Sequence, residues 1–305
     1  MIKDFINLSD FTGSQLTGLL ERALADKAAF RAGKLVPSLP RKNLAMIFEK
    51  ASLRTRVSFE VAMTQLGGHA LYLTQADIGV GKREAIQDVA RVLGRMCDGI
   101  MARTFSHEWV TQLAMHASVP VINALTDYSH PCQAMADLMT AMEIFGDLKG
   151  RTLAFIGDGN NVARSLATAC SLLGMRFVLT APEGYRLEEP FVAKLKSGSY
   201  QVIDQPEQAV READVIYTDT WVSMGQESER EKRLRDLGGY QVNMDLLRKA
   251  PRHAVVMHCL PAYRGLEITD DAFEAHARTI LEEAENRLHF QRSLLNVLIG
   301  ERGIK

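Results

Sequence analysis

Cysteine is scarce in this chain, long apolar runs are missing, and neither sign of charge is in excess. The four cysteines (Cys97, Cys132, Cys170 and Cys259) are widely scattered and form no CxxC pair. That excludes a disulfide framework or a zinc-finger-like site and reads as reduced thiols in a cytoplasmic protein. No apolar stretch approaches a membrane span, and Met1-Ile2-Lys3-Asp4 lacks the apolar core of a secretory signal. Lys and Arg number 36 against 37 Asp and Glu. A nucleic-acid or membrane-surface protein would need a basic excess, so neither partner is expected. Internal repeats and low-complexity segments are also lacking.

What is present is hydrophobic content of 47% over 305 residues, enough for two cores of ordinary size. Strand-like segments at 44–48, 69–73, 98–102, 120–123, 152–156, 176–180, 200–203, 214–218, 254–257 and 280–282 alternate with helical patterns at 13–32, 54–66, 84–95, 131–145, 161–173 and 284–299. Alternation of this kind predicts an α/β protein with mostly parallel sheets flanked by helices. Ten strands are more economical as two sheets than one. The polar, glycine-flanked turn Gly146-Asp147-Leu148-Lys149-Gly150 is the best boundary.

The most informative run is Ser52-Leu53-Arg54-Thr55-Arg56, between the apolar stretch Leu44–Phe48 and a helical pattern ending at Gly67-Gly68. Ser52 is a good N-cap. Two arginines and two hydroxyls then share a helix N-terminus with unpaired N–H groups and the positive dipole end. Arginine there opposes the dipole unless an anion offsets it, so a phosphate-like dianion is the natural occupant. A solvated basic helix start is the alternative.

Four further motifs each admit two readings. In His130-Pro131-Cys132-Gln133, proline suits the first helical position, which places His130 and Gln133 on one face, able to donate to a carbonyl oxygen. A packed histidine beside a helix cap is the other reading. Gly157-Asp158-Gly159-Asn160-Asn161 follows a strand and opens a helix, where a dinucleotide fold places its glycines. An NAD-dependent oxidoreductase, with Glu183 on the ribose, therefore competes with a polar substrate held by Asn161. Asp219, at the end of the strand 214–218, suits an ammonium group or a simple Asx turn. His258-Cys259-Leu260-Pro261 ends another strand. Adjacent strand residues face opposite sides, so His258 is poorly placed to activate Cys259, and a non-covalent role is favoured. The charged stretch Gly225–Gly239 reads as a solvated helix or as a cover over a nearby site.

Taken in order along nearly the whole chain, Ser52–Arg56, Arg103-Thr104, His130–Gln133, Gly157–Asn161, Asp219 with Ser223-Met224-Gly225, and His258–Pro261 resemble the aspartate/ornithine carbamoyltransferase family. The last two point to its ornithine-using members. The resemblance implies carbamoyl phosphate bound by Ser52, Leu53 (through its backbone), Arg54, Thr55, Arg103, His130, Gln133, Cys259, Leu260 and Arg287. It implies L-ornithine bound by Asn161, Asp219, Ser223 and Met224, with Arg54, Arg103, His130 and Cys259 taking part in catalysis. The implied reaction carries the carbamoyl group to the δ-amine, giving L-citrulline and phosphate, with no metal and no cofactor. Acylated ornithine and putrescine are alternative acceptors. A non-catalytic anion-binding protein of the same fold is another alternative. The implied architecture is a carbamoyl phosphate domain (1–146), an ornithine domain (147–284) and a C-terminal helix (285–305) that returns to the first domain, with interdomain helices joining the two. Arg287 is expected where Glu285-Asn286-Arg287 opens that last helix. A homotrimer is implied, with a neighbouring subunit's Gln75–Lys82 segment near the site. Two departures from the family pattern stand out. Leu53 occupies a position that is often threonine, and Tyr263 one that is often histidine.

Overall fold

The computed structural model describes residues 2–79, 84–223 and 225–304. Two compact units emerge, one of Met1–Met139 with Glu285–Lys305 and one of Thr140–Ala284. Each is built on a parallel sheet. Two helices, Pro131–Phe145 and Asp270–Leu295, contribute residues to both units.

In the first unit, β1 (Asn43–Phe48), β2 (His69–Thr74), β3 (Gly99–Arg103) and β4 (Val121–Leu125) pair in the order β2-β1-β3-β4. The helices are α1 (Gly13–Arg31), α2 (Leu53–Gln65), α3 (Ile86–Met96) and α4 (His107–His116), followed by the start of α5 (Pro131–Phe145). β1 and β3 are buried almost throughout, as strands covered on both faces must be. Edge strand β2 has no buried residue. One apolar cluster, including Ala45, Ile47, Ile100, Val110 and Val121, packs α3 and α4 on the sheet.

The second unit orders β5 (Thr152–Ile156), β6 (Arg176–Thr180), β7 (Tyr200–Val202), β8 (Val215–Thr218) and β9 (Val255–His258) as β7-β6-β5-β8-β9. Its longer helices are α6 (Asn161–Leu173), α7 (Arg230–Leu237) and most of α8 (Asp270–Leu295). Ala154, Val178, Ile216, Val256 and Ile280 belong to its core.

These strand orders locate the candidate sites. In each sheet the chain winds outward from a central strand and then returns to that strand's other side. The reversal lies between β1 and β3 in the first unit and between β5 and β8 in the second. Parallel sheets bind ligands beyond the carboxyl ends of the two strands at such a switch point. The loops there begin at Glu49 and Thr104 in one unit and at Gly157 and Asp219 in the other.

One strand expectation fails. Residues 280–282 lie inside α8, where Ile280 is buried and Leu281 is 58% exposed. A two-residue apolar run carries no period of its own, and the flanking helix absorbs it. The last helix accordingly starts at Asp270, and Arg287 sits in its interior instead of at its opening turn.

Candidate active site

In the first unit, β1 delivers the chain to Ser52, whose hydroxyl caps α2 by accepting from the Thr55 N–H at 3.3 Å. Thr55 is fully buried. Its Oγ1 receives the Ser52 hydroxyl at 3.1 Å, Arg287 Nη2 at 3.2 Å and Arg103 Nη1 at 3.5 Å. Arg103 is the last residue of β3, and Arg287 comes from α8. The other Arg287 amine donates to Gln133 Oε1 at 2.5 Å, while Gln133 Nε2 donates to Asp137 at 2.7 Å. That second bond fixes the amide so that its oxygen faces the guanidinium. Burial holds the His130 imidazole well below the usual histidine range, and the charges of Arg287, Arg103 and Arg54 depress it further. His130 is therefore a neutral donor set among three cations.

The structure thus gathers Thr55, Arg103, Gln133 and Arg287 by direct hydrogen bonds, with Arg54 and His130 within electrostatic reach. Arg56 departs from expectation. It donates to Glu60 at 2.9 Å, lies 4.0 Å over the Tyr72 ring and is exposed, so its guanidinium is engaged away from the cluster. Leu53 is 76% exposed. Its apolar side chain adds nothing to the cluster.

In the second unit, Asp219 follows β8 and is buried. It accepts Cys259 Sγ at 2.9 Å and the Thr220 N–H at 2.7 Å on one oxygen, and Asn160 Nδ2 at 2.6 Å on the other. Asn160 is also the cap of α6, accepting from the Val162 and Ala163 N–H groups. Asn161 is the first helical residue and is only partly buried. Ser223 is held by its backbone, N–H to Gln226 Oε1 and carbonyl to the Gln226 N–H, each at 3.0 Å. Met224 lies outside the described residues.

His258 does not serve Cys259. Its Nδ1 accepts the Leu260 N–H at 2.9 Å, which makes Nε2 the protonated nitrogen and a donor to Glu267 at 3.1 Å. Glu283 accepts the His258 N–H at 2.8 Å and the Tyr217 hydroxyl at 3.1 Å. This buried frame holds Leu260 at φ +59°, a left-handed conformation that a leucine adopts only under constraint. Asp219, His258 and Cys259 also bring one potential metal-ligating atom each within 4.8 Å of one another. A metal there would have to displace the Leu260 N–H from Nδ1 or Glu267 from Nε2 of His258. Tyr263 contributes its backbone N–H to Glu267, and the residue is 45% exposed.

The glycine loop is built for packing. A Cβ on Gly159 would stand 2.7 Å from the Tyr185 carbonyl oxygen and 3.0 Å from the Leu187 nitrogen. Backbone therefore occupies the approach that a pyrophosphate would need, and the Asn160 side chain already takes the helix N–H groups. Both observations weigh against the dinucleotide reading.

Two family models match the chain. The aspartate/ornithine carbamoyltransferase carbamoyl-P binding domain covers residues 3–143, and the Asp/Orn binding domain of the same family covers 149–298. The chain belongs to the aspartate/ornithine carbamoyltransferase family. An ornithine carbamoyltransferase of Methanosarcina mazei is 50% identical over 297 residues, covering 97% of this chain and 98% of that protein. The anabolic ornithine carbamoyltransferase of Pyrococcus furiosus is 48% identical, over 99% of this chain and 98% of its own length. The solved structure of ornithine carbamoyltransferase from Pyrococcus furiosus superposes with a TM-score of 0.93 at 47% identity, covering 99% and 98% of the two chains. That of the Thermus thermophilus ornithine carbamoyltransferase gives 0.89 at 42%, covering 98% and 99%.

Sequence reasoning missed several residues of these clusters. Asn160, given no role by the sequence reading, donates to Asp219. Glu267 and Glu283 brace the turn after β9. Gln291 braces Arg287: its amide oxygen lies 3.1 Å from both Arg287 Nε and Nη2 once the amide is oriented to donate to Ser58. The i, i+4 spacing of Arg287 and Gln291 on a helix was a readable signal for that last pair.

Proposed function

We propose that the protein transfers the carbamoyl group of carbamoyl phosphate to the δ-amine of L-ornithine, releasing L-citrulline and phosphate. The observation that carries this reading is the Thr55 hydroxyl, met by Arg103 and Arg287, beside a neutral His130. Carbamoyl phosphate presents a dianion next to a carbonyl, and this cluster offers cations and neutral donors together. Arg54, Arg103, Arg287 and the α2 N–H groups, that of Leu53 among them, take the phosphate with Ser52. Thr55, Arg103 and His130 receive the carbonyl oxygen as it becomes an oxyanion, and Gln133 orients Arg287.

The amine must attack neutral, although a free alkyl amine holds its proton to a pKa of about 10. A cationic surrounding favours the neutral form. The new N–C bond forms, the bond between the carbonyl carbon and the bridging phosphate oxygen breaks, and the departing phosphate collects the amine proton. Asp219 pairs with the α-ammonium, leaving the δ-amine free, and Asn161, Ser223 and Met224 complete the ornithine contacts. Cys259 and the Leu260 backbone stand beside the attacking amine. The reaction needs no metal and no cofactor.

The setting is the cytoplasm, and the assembly is a homotrimer in which a neighbouring subunit's Gln75–Lys82 segment approaches the site. Residues 80–82 of that segment lie outside the described residues. Among the described residues no helix is long and apolar enough to cross a membrane.

A citrulline assay with ornithine, N-acetylornithine, putrescine and aspartate as acceptors tests the assignment. Ornithine should react fastest by a wide margin, because only it offers both a free δ-amine and a charged α-ammonium for Asp219. Comparable rates with N-acetylornithine would overturn the acceptor assignment. Cys259→Ser should lower turnover by roughly tenfold, the scale of one weakened hydrogen bond to a charged group. Wild-type enzyme should show no carbamoyl adduct by intact-protein mass spectrometry. A trapped thiocarbamate on Cys259 would refute the non-covalent route.

A further inference from the structure

We propose that Arg233 is a positioning residue, whose buried ion pair with Asp158 ties together the two loops that face ornithine and keeps Asp158 from competing with Asp219 for the substrate's ammonium. The inference rests on the ornithine reading above and names residues for which that reading has no role.

Arg233 comes from the charged stretch 225–239, and its neighbours behave as a solvated helix should. Arg230, Lys232 and Arg235 are exposed, whereas Arg233 is only 8% exposed. Its Nη1 donates to Asp158 Oδ2 at 2.7 Å and to the Trp221 carbonyl oxygen at 3.2 Å, and its Nε donates to Glu229 at 3.0 Å. Asp158 belongs to the loop after β5, which also carries Asn160 and Asn161. Trp221 belongs to the loop after β8, between Asp219 and Ser223. One guanidinium therefore bridges both loops at the switch point of the sheet. Gly157 adds a second tie, because the Trp221 ring lies 3.6 Å from where its Cβ would stand. Tyr185 adds a third. Its carbonyl oxygen accepts the Gly159 N–H at 2.7 Å, and its ring lies 5.3 Å beneath the Arg233 guanidinium.

The pair also has an electrostatic consequence. Burial pushes the Asp158 carboxyl up, Arg233 opposes that rise, and the charge of nearby Asp219 adds to it. With Arg233 in place, Asp158 is neutralised and Asp219 is the carboxylate left to choose the ammonium. Without it, two neighbouring carboxylates share one low-dielectric region. Without Asp158, the guanidinium keeps Glu229 on Nε, but Nη1 loses its carboxylate and becomes a competitor for Asp219. Either single change thus damages ornithine binding, and making both changes relieves the unpaired charge.

The test is steady-state kinetics with each substrate varied separately. R233Q should raise the ornithine KM by roughly tenfold or more, as expected for a buried charge left unpaired, with the carbamoyl phosphate KM within about twofold. R233K, which keeps the charge and loses the fork, should recover part of the loss. D158N should raise the ornithine KM by itself, and D158N/R233Q should fall well short of the product of the two single effects. If R233Q does not yield folded protein, R233K and D158N carry the test through the same KM split. An unchanged ornithine KM, equal rises in both KM values, or independent effects in the double variant would overturn the proposal. Wild-type enzyme that makes no citrulline at all would instead overturn the ornithine reading.

Discussion

Arg103→Ala is expected to lower kcat/KM for carbamoyl phosphate by about 100- to 1,000-fold, the scale of losing one pre-aligned oxyanion donor. A larger loss would follow if both of its assigned tasks, phosphate charge and carbonyl oxygen, are removed together. Arg103 ends β3 at the switch point, is buried, and meets Thr55 Oγ1. Arg103→Lys should recover little, since a point charge does not reproduce a planar fork aimed at two acceptors. A second readout separates electrostatics from packing. His130 is held below its usual range first by burial, then by Arg287, Arg103 and Arg54 in that order. The unfolded chain, with histidine near 6.5, therefore binds more protons than the folded one between that value and the folded pKa. The stability contribution of neutral His130 is complete above about pH 6.5 and is lost as pH falls toward the folded pKa. Removing Arg103 takes away one opposing charge, so the imidazole resonance of His130 should titrate at a higher pH in the variant than in the parent. An NMR titration with no upward movement would show that Arg103 and His130 are not coupled. Near-normal kinetics would remove Arg103 from the chemistry.

The parts legible in the sequence were those specified locally. The strand into Ser52, the cap, and the helix from Pro131 each follow from a few neighbouring residues, and the structure places them as the pattern indicates. The strand–helix alternation was legible for the same reason, and two parallel sheets follow from it. What was not legible depended on tertiary neighbours. Arg56 stands in the same helical turn as Arg54 yet turns to Glu60 and Tyr72, because a long side chain goes to whichever partners the fold supplies. Asn160 and Asn161 are chemically identical, and only the phase of α6 decides which of them caps the helix. Arg233 sits among seven other charged residues between Glu227 and Asp236, and nothing in that run distinguishes the buried one. The segment 280–282 failed for the opposite reason, since a local apolar pair was read as a strand when a 26-residue helix ran through it. The location of both sites at switch points became visible only with the order of the strands, which depends on long-range pairing that no single stretch of sequence encodes.

Asp219→Asn should cut kcat/KM for ornithine by about 30- to 5,000-fold, corresponding to roughly 2–5 kcal/mol for breaking a buried, hydrogen-bonded charge pair. The carbamoyl phosphate KM should change little. Asp219 already accepts Asn160 Nδ2, Cys259 Sγ and the Thr220 N–H. A carboxylate offers about four acceptor positions, so one remains for the α-ammonium of the substrate. The asparagine variant turns one oxygen into a donor that must face either the Asn160 amide or the Cys259 thiol. It therefore loses the charge and gains a donor–donor clash in the same place. The acceptor series separates those two costs. Putrescine has an attacking amine but no α-ammonium or carboxylate, so its slow reaction should be affected only by the clash and should fall much less than that of ornithine. The ornithine-to-putrescine ratio would then shrink sharply in the variant. An equal fall for both acceptors would mean that Asp219 holds the loop or assists the chemistry, and that some other group selects the amine.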